Sequence, residues 1–374
     1  MSSLYIHIPF CAKRCFYCDF HSGTDSSLQE KYIEALGCEL RARIGELSSN
    51  SPNTIYIGGG TPSQLTPSLL ERLFINLDNS LDLTVAKEIT IEVNPDDITA
   101  EYAKHIVSLP INRVSMGVQS FNDRLLKLIG RRHNSQKAIE AYNILREAGI
   151  ENLSIDLMFS LPTQTIEEWE ESIGQAIELR PQHISAYDLS YEQGSVLTQK
   201  LKRGEIKACS DETSLAMYNM LIDKLSEAGY EHYEISNFAL PGYRSQHNSG
   251  YWKGVPYLGL GASAHSFDGV VRRANISNTA IYINKVLSGE VAFEVEDLTL
   301  QERYNETIFT RLRTSEGVDL QLIEQQFGKK NLQHLLQEAA SYISGGYLKE
   351  EQGKITLTRK GIVVSDSICC DLFL

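Results

Sequence analysis

No stretch of the chain approaches the ~20 consecutive apolar residues that a membrane-spanning helix needs. The first residues carry neither a basic stretch leading into an apolar core nor an arginine-rich amphipathic leader, so the expected location is the cytoplasm. Positive charge is scarce too: 35 Lys and Arg face 48 Asp and Glu, a formal net charge of -13. Sequence-independent affinity for nucleic acid comes from neutralising phosphates with cations, so a general nucleic-acid binder is excluded, while a local basic pocket is not. Low-complexity tracts are missing. The seven cysteines are an odd number, and three of them crowd together, which is not the pattern of a secreted disulfide framework. What remains is a globular composition, 42% hydrophobic and 22% charged over 374 residues. That is long enough for one large domain with a smaller one appended.

Short β-rich runs alternate with helical periodicity along most of the chain. LYIHIP precedes a helical pattern at 28–47, TIYIGGG one at 66–78, and EITIEVNP one at 98–108. RVSMGVQS leads into helical segments between Phe121 and Ala148, NLSIDLMF into 165–179, and HISAYDLS into 212–228. Six such alternations predict a parallel sheet, and right-handed crossovers curve it one way. The expected fold is therefore α/β, a partial TIM-like (β/α)6 barrel over 1–230. A Gly- and aromatic-rich connecting region follows over 231–295. The last part, 296–374, reads as a winged-helix-like α+β domain, with helices near 299–313, 319–327 and 331–344 ahead of two β-runs in GYLKEEQGKITLT.

The unusual residues fall at strand ends. Cys11, Cys15 and Cys18 follow the first strand, and Gly58 to Thr61 follow the second. Glu92 and Asn94 end the third, Gln119 the fourth, Asp156 lies in the fifth, and Tyr187, Asp188 and Ser190 lie late in the sixth. In a parallel β/α array these ends converge on one mouth, where such folds build their sites. Three thiolates in CAKRCFYC can hold a metal. Structural zinc wants four protein donors, and His7, His21 or Cys38 could complete that set. A 4Fe-4S cluster held by three cysteines instead leaves one iron open to a small ligand. Phe16, Tyr17 and Phe20 would shield such a cluster from water.

CxxxCxxC after the first strand resembles the signature of the radical S-adenosylmethionine (SAM) superfamily. More narrowly, LYIHIPFCAKRCFYC, GGGTPS, TIEVNPDD, RVSMGVQSF and IDLMFSLPTQT resemble the oxygen-independent coproporphyrinogen III oxidase family, in this order, from Leu4 to about Ser190. The resemblance implies a radical SAM barrel with a 4Fe-4S cluster on Cys11, Cys15 and Cys18, whose open iron chelates SAM and cleaves it reductively, with an electron donor for the cluster. It implies that Tyr5 and Tyr17 lie beside SAM, that Gly59, Gly60 and Thr61 receive its methionine part, and that Glu92, Gln119, Arg131 and Asp156 hold its polar groups.

Two departures from the oxidase pattern bear on function. Where the oxidases have a further cysteine two residues after the third ligand, this chain has Phe20, and only three residues precede Leu4 where the oxidases carry an arm over the substrate. HNSGYW, His247 to Trp252, is similar to the HNxxYW motif of the HemW branch, regarded as heme chaperones. The resemblance then implies heme as a third cofactor and a heme-accepting partner protein. His247 is the expected axial ligand, with Tyr251 and Trp252 as flat surfaces for a porphyrin face, and Arg272 and Arg273 are candidates for its propionates. The expected function is a heme chaperone; the alternative is coproporphyrinogen III decarboxylation.

Overall fold

The computed structural model describes residues 3–374. Its first part alternates as the sequence predicts: β1 (Ser3–Ile8), α1 (Gln29–Arg43), β2 (Thr54–Gly59), α2 (Pro67–Asp78), β3 (Glu88–Val93), α3 (Ala100–Ser108) and β4 (Arg113–Gln119). There follow α4 (Asp123–Leu128), α5 (Ser135–Glu147), β5 (Asn152–Phe159), α6 (Ile166–Leu179) and β6 (His183–Asp188). Neighbours from β1 to β6 all pair in parallel. Local signals fix the starts of the helices. Thr66 ahead of Pro67 caps α2, and Thr165 with Glu168 forms a reciprocal capping box on α6.

The strands have one apolar face and one polar face, because successive side chains point to opposite sides. Ile6, Ile57, Ile91, Met116 and Ile155 are fully buried and share a core with Leu36, Leu70, Leu73 and Ile106 of the helices. Each such side chain contributes about 1.5–3 kcal/mol. The alternate residues are polar: Tyr5, Tyr56, Glu92, Ser115, Asp156 and Ser185. The sheet therefore curls around a polar lumen with the helices outside.

Beyond β6 come α7 (Val196–Lys202), α8 (Asp211–Glu227), β7 (Glu231–Glu234), β8 (Asn237–Ala239), α9 (Gln246–Trp252), β9 (Tyr257–Leu260), β10 (His265–Phe267), β11 (Val271–Asn275), α10 (Thr279–Leu287) and β12 (Phe293–Asp297). Strands of three to five residues are too short to show a period, and their role is visible only in the fold. They extend both edges of one 12-stranded sheet, ordered β12-β11-β10-β9-β1-β2-β3-β4-β5-β6-β8-β7. The sheet ends on β12 and β7 rather than joining them, so the barrel is partial.

The C-terminal part has its own core, including Tyr304, Ile308, Ile323, Leu335 and Ile355. It comprises α11 (Leu300–Leu312), β13 (Val318–Asp319), α12 (Leu320–Phe327), α13 (Lys329–Ser344), β14 (Leu348–Glu351), β15 (Lys354–Leu357), α14 (Arg359–Ile362) and α15 (Ser365–Asp371). Helices leading into a β-ribbon match the winged-helix-like expectation. Cys369 is buried here and burial pushes its thiol up to about 12, which makes it inert as a nucleophile. No helix among the described residues is long and apolar enough to cross a membrane.

Candidate functional site

The C-terminal ends of β1 to β6 open on a cavity of about 380 Å³ that all three clustered cysteines line. Their loop is held by its own backbone: Cys11 N donates to Gly23 O at 2.9 Å and Gly23 N to Pro9 O at 2.8 Å. Phe16 anchors it from the other side, donating to Ile129 O at 3.0 Å and accepting from Leu197 N at 2.8 Å. Phe16 and Tyr17 pack on an apolar cluster of Leu125, Ile129, Met158 and Leu197, so they do screen the loop. Phe20 does not. It is 63% exposed at the rim, a correction to its expected shielding role.

The three thiols are free, and Cys11 Sγ lies 3.4 Å from Thr61 Oγ1. No group of three or more His, Cys, Asp or Glu among the described residues is arranged around a single metal ion. His7, one suggested fourth zinc donor, has both nitrogens engaged, with Tyr5 Oη at 2.9 Å and His21 O at 2.9 Å. Thiols spread along a cavity wall, with no fourth donor among them, suit a cluster in which each sulfur meets its own iron.

Opposite the thiols, the strand ends supply an amphipathic cradle. Gly59 has φ +110°, and a Cβ there would sit 2.5 Å from the His7 ring. At Gly60 a Cβ would come within 2.9 Å of Ile8 O. Glycine is thus required for β2 to end against β1, where Gly60 N donates to Ile8 O at 2.9 Å and Thr61 N to Phe10 O at 2.8 Å. Glu92 accepts from Tyr56 Oη at 2.7 Å and from Gly59 N at 3.1 Å, and burial raises its carboxyl to about 7. Asp156 accepts from Ser115 Oγ at 3.3 Å and is likewise raised by burial. Gln119 sits at a bulge in β4 with φ 68°, which turns it onto the cavity wall. Arg131 donates to Cys15 Sγ at 3.4 Å and to the Gly117 carbonyl, while its buried Nε has no partner.

That combination fits a bound SAM on a cluster: two half-buried acids on the cavity wall with unused acceptor capacity, a cation at a cluster thiol, and a glycine run without side chains beside them. The cluster when bound would supply the electron chemistry, and these side chains would hold and orient the ligand. Tyr5 is the exception among the expected contacts. It lies below the cavity, hydroxyl to His7 and ring stacked on Tyr56 at 6.3 Å, and does not line it. Ser115, Gly117 and Met158 do line the cavity and were not anticipated. Period two, counted back from Gln119 and forward from Asp156, places them on the same wall.

The HNSGYW stretch is elsewhere. It forms α9, packed against the N-terminal ends of β1 to β3. Glu88, which opens β3, accepts from Gln246 N at 2.8 Å and His247 N at 3.0 Å, a carboxylate at the helix N-terminus. His247 is buried, with Nδ1 on Thr54 Oγ1 at 2.8 Å and Nε2 on Tyr251 Oη at 2.9 Å. The expected axial ligand is corrected on this ground: neither nitrogen is free for iron unless α9 leaves the sheet. Arg273 is engaged with Asp268 at 3.0 Å, and Arg272 is likewise paired, with Glu296 at 3.5 Å and with Glu306; Arg272 and Trp252 border a groove against the C-terminal part.

The radical SAM superfamily profile matches residues 5–176, and that of the HemN C-terminal domain matches 298–364. The chain is 36% identical to the heme chaperone HemW of Lactococcus lactis, covering 98% of this chain and 96% of that protein. It is 35% identical to the heme chaperone HemW of Bacillus subtilis, covering 98% of each. Among solved structures, it resembles the Escherichia coli coproporphyrinogen III oxidase HemN, a radical SAM enzyme, with a TM-score of 0.86 and 26% identity over 100% of this chain and 90% of that one.

Proposed function

The chain belongs to the radical SAM superfamily and, within it, to the HemW family; from that premise we propose that it is a heme chaperone. It binds heme, carries a SAM-binding 4Fe-4S cluster on Cys11, Cys15 and Cys18, and passes heme to an acceptor protein in the cytoplasm. A separate donor reduces the cluster. The observation that carries this reading is the likeness to heme chaperones along 98% of the chain. Phe20, exposed at the cavity rim where the oxidases have a cysteine, supports it.

A second reading is decarboxylation of coproporphyrinogen III, favoured by the complete set of thiols, acids and Arg131 around one cavity. One anaerobic, reconstituted preparation separates the two. As a chaperone it takes up about one heme per chain. Given SAM, reductant and coproporphyrinogen III, it yields no protoporphyrinogen IX. Sustained decarboxylation without heme uptake would replace the first reading by the second.

A further inference from the structure

The outer face of the cysteine loop carries charge of the opposite sign to the rest of the chain. Within 11–20, Lys13 and Arg14 stand against Asp19. The segment packed on that loop, 196–207, holds Lys200, Lys202, Arg203 and Lys207 against Glu205. Six cations thus meet two carboxylates, where the whole chain has 35 Lys and Arg to 48 Asp and Glu. Tertiary structure joins the two segments. Leu197 N, near the start of α7, donates to Phe16 O at 2.8 Å, and Leu197 and Ile206 belong to the apolar cluster that anchors Phe16 and Tyr17. Lys13 and Lys200, one from each segment, stand over the Phe16 ring with Nζ at 5.5 and 4.8 Å from its centroid.

Helix electrostatics account for only part of this patch. Lys200 and Lys202 lie in the last turn of α7, where a cation meets the negative end of the helix dipole. Lys13, Arg14 and Lys207 lie outside any helix and are exposed. Arg203 is paired, with Glu205 at 3.3 Å, but the other five cations form no ion pair among the described residues. Like charges gathered without counter-charges repel one another, and a partner's carboxylates would relieve them. The patch also lies where the thiols come near solvent. Cys11, Cys15 and Cys18 are half-buried, with Lys13, Arg14 and Phe16 between them in the chain, so on this side only the loop itself covers them.

Resting on the cluster assignment above, we propose that this patch is the docking surface for the protein that reduces the cluster, a small one-electron carrier with an acidic face. Phe16, next in the chain to Cys15, is the apolar centre of the contact, and the lysines and arginines are its charged rim. One electron leaves the carrier and enters the cluster; the carrier is oxidised by one electron, and no bond forms or breaks in that step. Docking on the loop that bears the thiols keeps the path of the electron short. A surface made of one loop and one short helix suits the small interfaces of electron-transfer pairs, below about 1,200 Å². In such pairs complementary charge governs the rate of encounter more than the affinity.

The test is reduction of the full-length, cluster-reconstituted protein by a reduced, acidic plant-type ferredoxin at low and high salt, followed by rapid-freeze EPR, which distinguishes the two clusters. Three forms are compared: the unmodified protein, the triple variant Lys200→Gln, Lys202→Gln, Lys207→Gln, and a charge-matched control in the C-terminal part, Lys329→Gln, Lys330→Gln, Lys354→Gln. Expected is a bimolecular rate lowered about tenfold in the patch variant at low salt, a gap that closes at high salt, and a change of less than about twofold in the control. Titration with oxidised ferredoxin should show binding weakened in the patch variant alone. Iron and sulfide content, SAM binding and the extent of reduction by dithionite should match in all three forms and report that fold and cluster are intact. An unchanged rate in the patch variant, or an equal loss in the control, would overturn the docking surface while leaving the cluster assignment in place. If the patch substitutions instead abolish binding to phosphatidylserine vesicles and leave reduction by ferredoxin unaltered, the patch is a membrane contact and the proposal falls. Unmodified protein that takes up no iron and sulfide would overturn the cluster assignment itself.

Discussion

The two ends of the sheet are built from the same kinds of residue with opposite outcomes. At the mouth, Glu92, Asp156 and Arg131 are half-buried on the cavity wall, and the Arg131 Nε is buried without a partner. Arg113, buried in the lumen behind them, has two nitrogens without partners, so the polar interior is not closed on itself at that level. At the base, His247 has both nitrogens engaged and Glu88 accepts from two backbone amides of α9. Buried polar groups are costly unless paired, so incomplete pairing marks a place where a ligand completes the structure, and complete pairing marks a fastening. The cysteine cavity is the first kind, and the core of the HNSGYW motif is the second.

The largest effect that can break this comparison is on the cluster. Replacing any of Cys11, Cys15 or Cys18 by Ala should abolish it, judged by iron and sulfide analysis after anaerobic reconstitution, while Cys38→Ala leaves it in place. A cluster that survives loss of Cys15 would mean the mouth is misassigned.

At the base the expected loss is of stability. Removing His247 leaves Tyr251 without its partner and Thr54 with Ser3 alone, and opens a cavity, a cost of about 2–4 kcal/mol by equilibrium denaturation. Burial holds the His247 imidazole down at about 3, below the ordinary value of about 6.5. The unfolded chain therefore takes up the proton first, and the stability this contributes is complete above about 6.5 and is lost as pH falls toward 3. His247→Ala should flatten that part of the acid-stability curve. An unchanged curve and midpoint would show that His247 is no fastening.

A smaller effect belongs to the SAM contacts. Asp156→Ala or Glu92→Ala should weaken SAM binding by about 1–3 kcal/mol with the cluster retained. Isotherms identical to those of the unmodified protein would place the ligand elsewhere.

Smallest is the pH dependence at Glu92, whose folded value is raised by burial to about 7. The folded state holds its proton through the window from the ordinary carboxylate range to 7, so ionising it lowers stability as pH rises there. The ionised form is the better acceptor, so SAM affinity should increase as pH rises through 7. Glu92→Gln should remove that increase, and a persistent one would assign it to another group.

Legibility in the sequence divides along the same line. The parallel strands and the mouth residues were readable, because strand runs of six to eight residues have a period and strand ends share one place in such folds. The resemblance of five ordered motifs named the chemistry. Tyr5 was misplaced because its position in the strand sets its face but not its depth below the cavity. The function of His247 was not readable, since a motif reports which residues occur and not whether their nitrogens are already bonded. The cavity between Trp252, Arg272 and Arg303 was hidden for a different reason: its walls come from two segments, 251–272 and 303–327, joined only by tertiary packing.

The most direct measurement of two distinct sites is simultaneous binding. Hemin is titrated into cluster-loaded protein with and without saturating SAM, and SAM into the same protein with and without hemin. Expected is one of each per chain, with either affinity changed by no more than about twofold by the other ligand, as for sites that share no contacts. Mutual displacement would contradict this, because it would put the tetrapyrrole in the cysteine cavity, where a decarboxylase would need it.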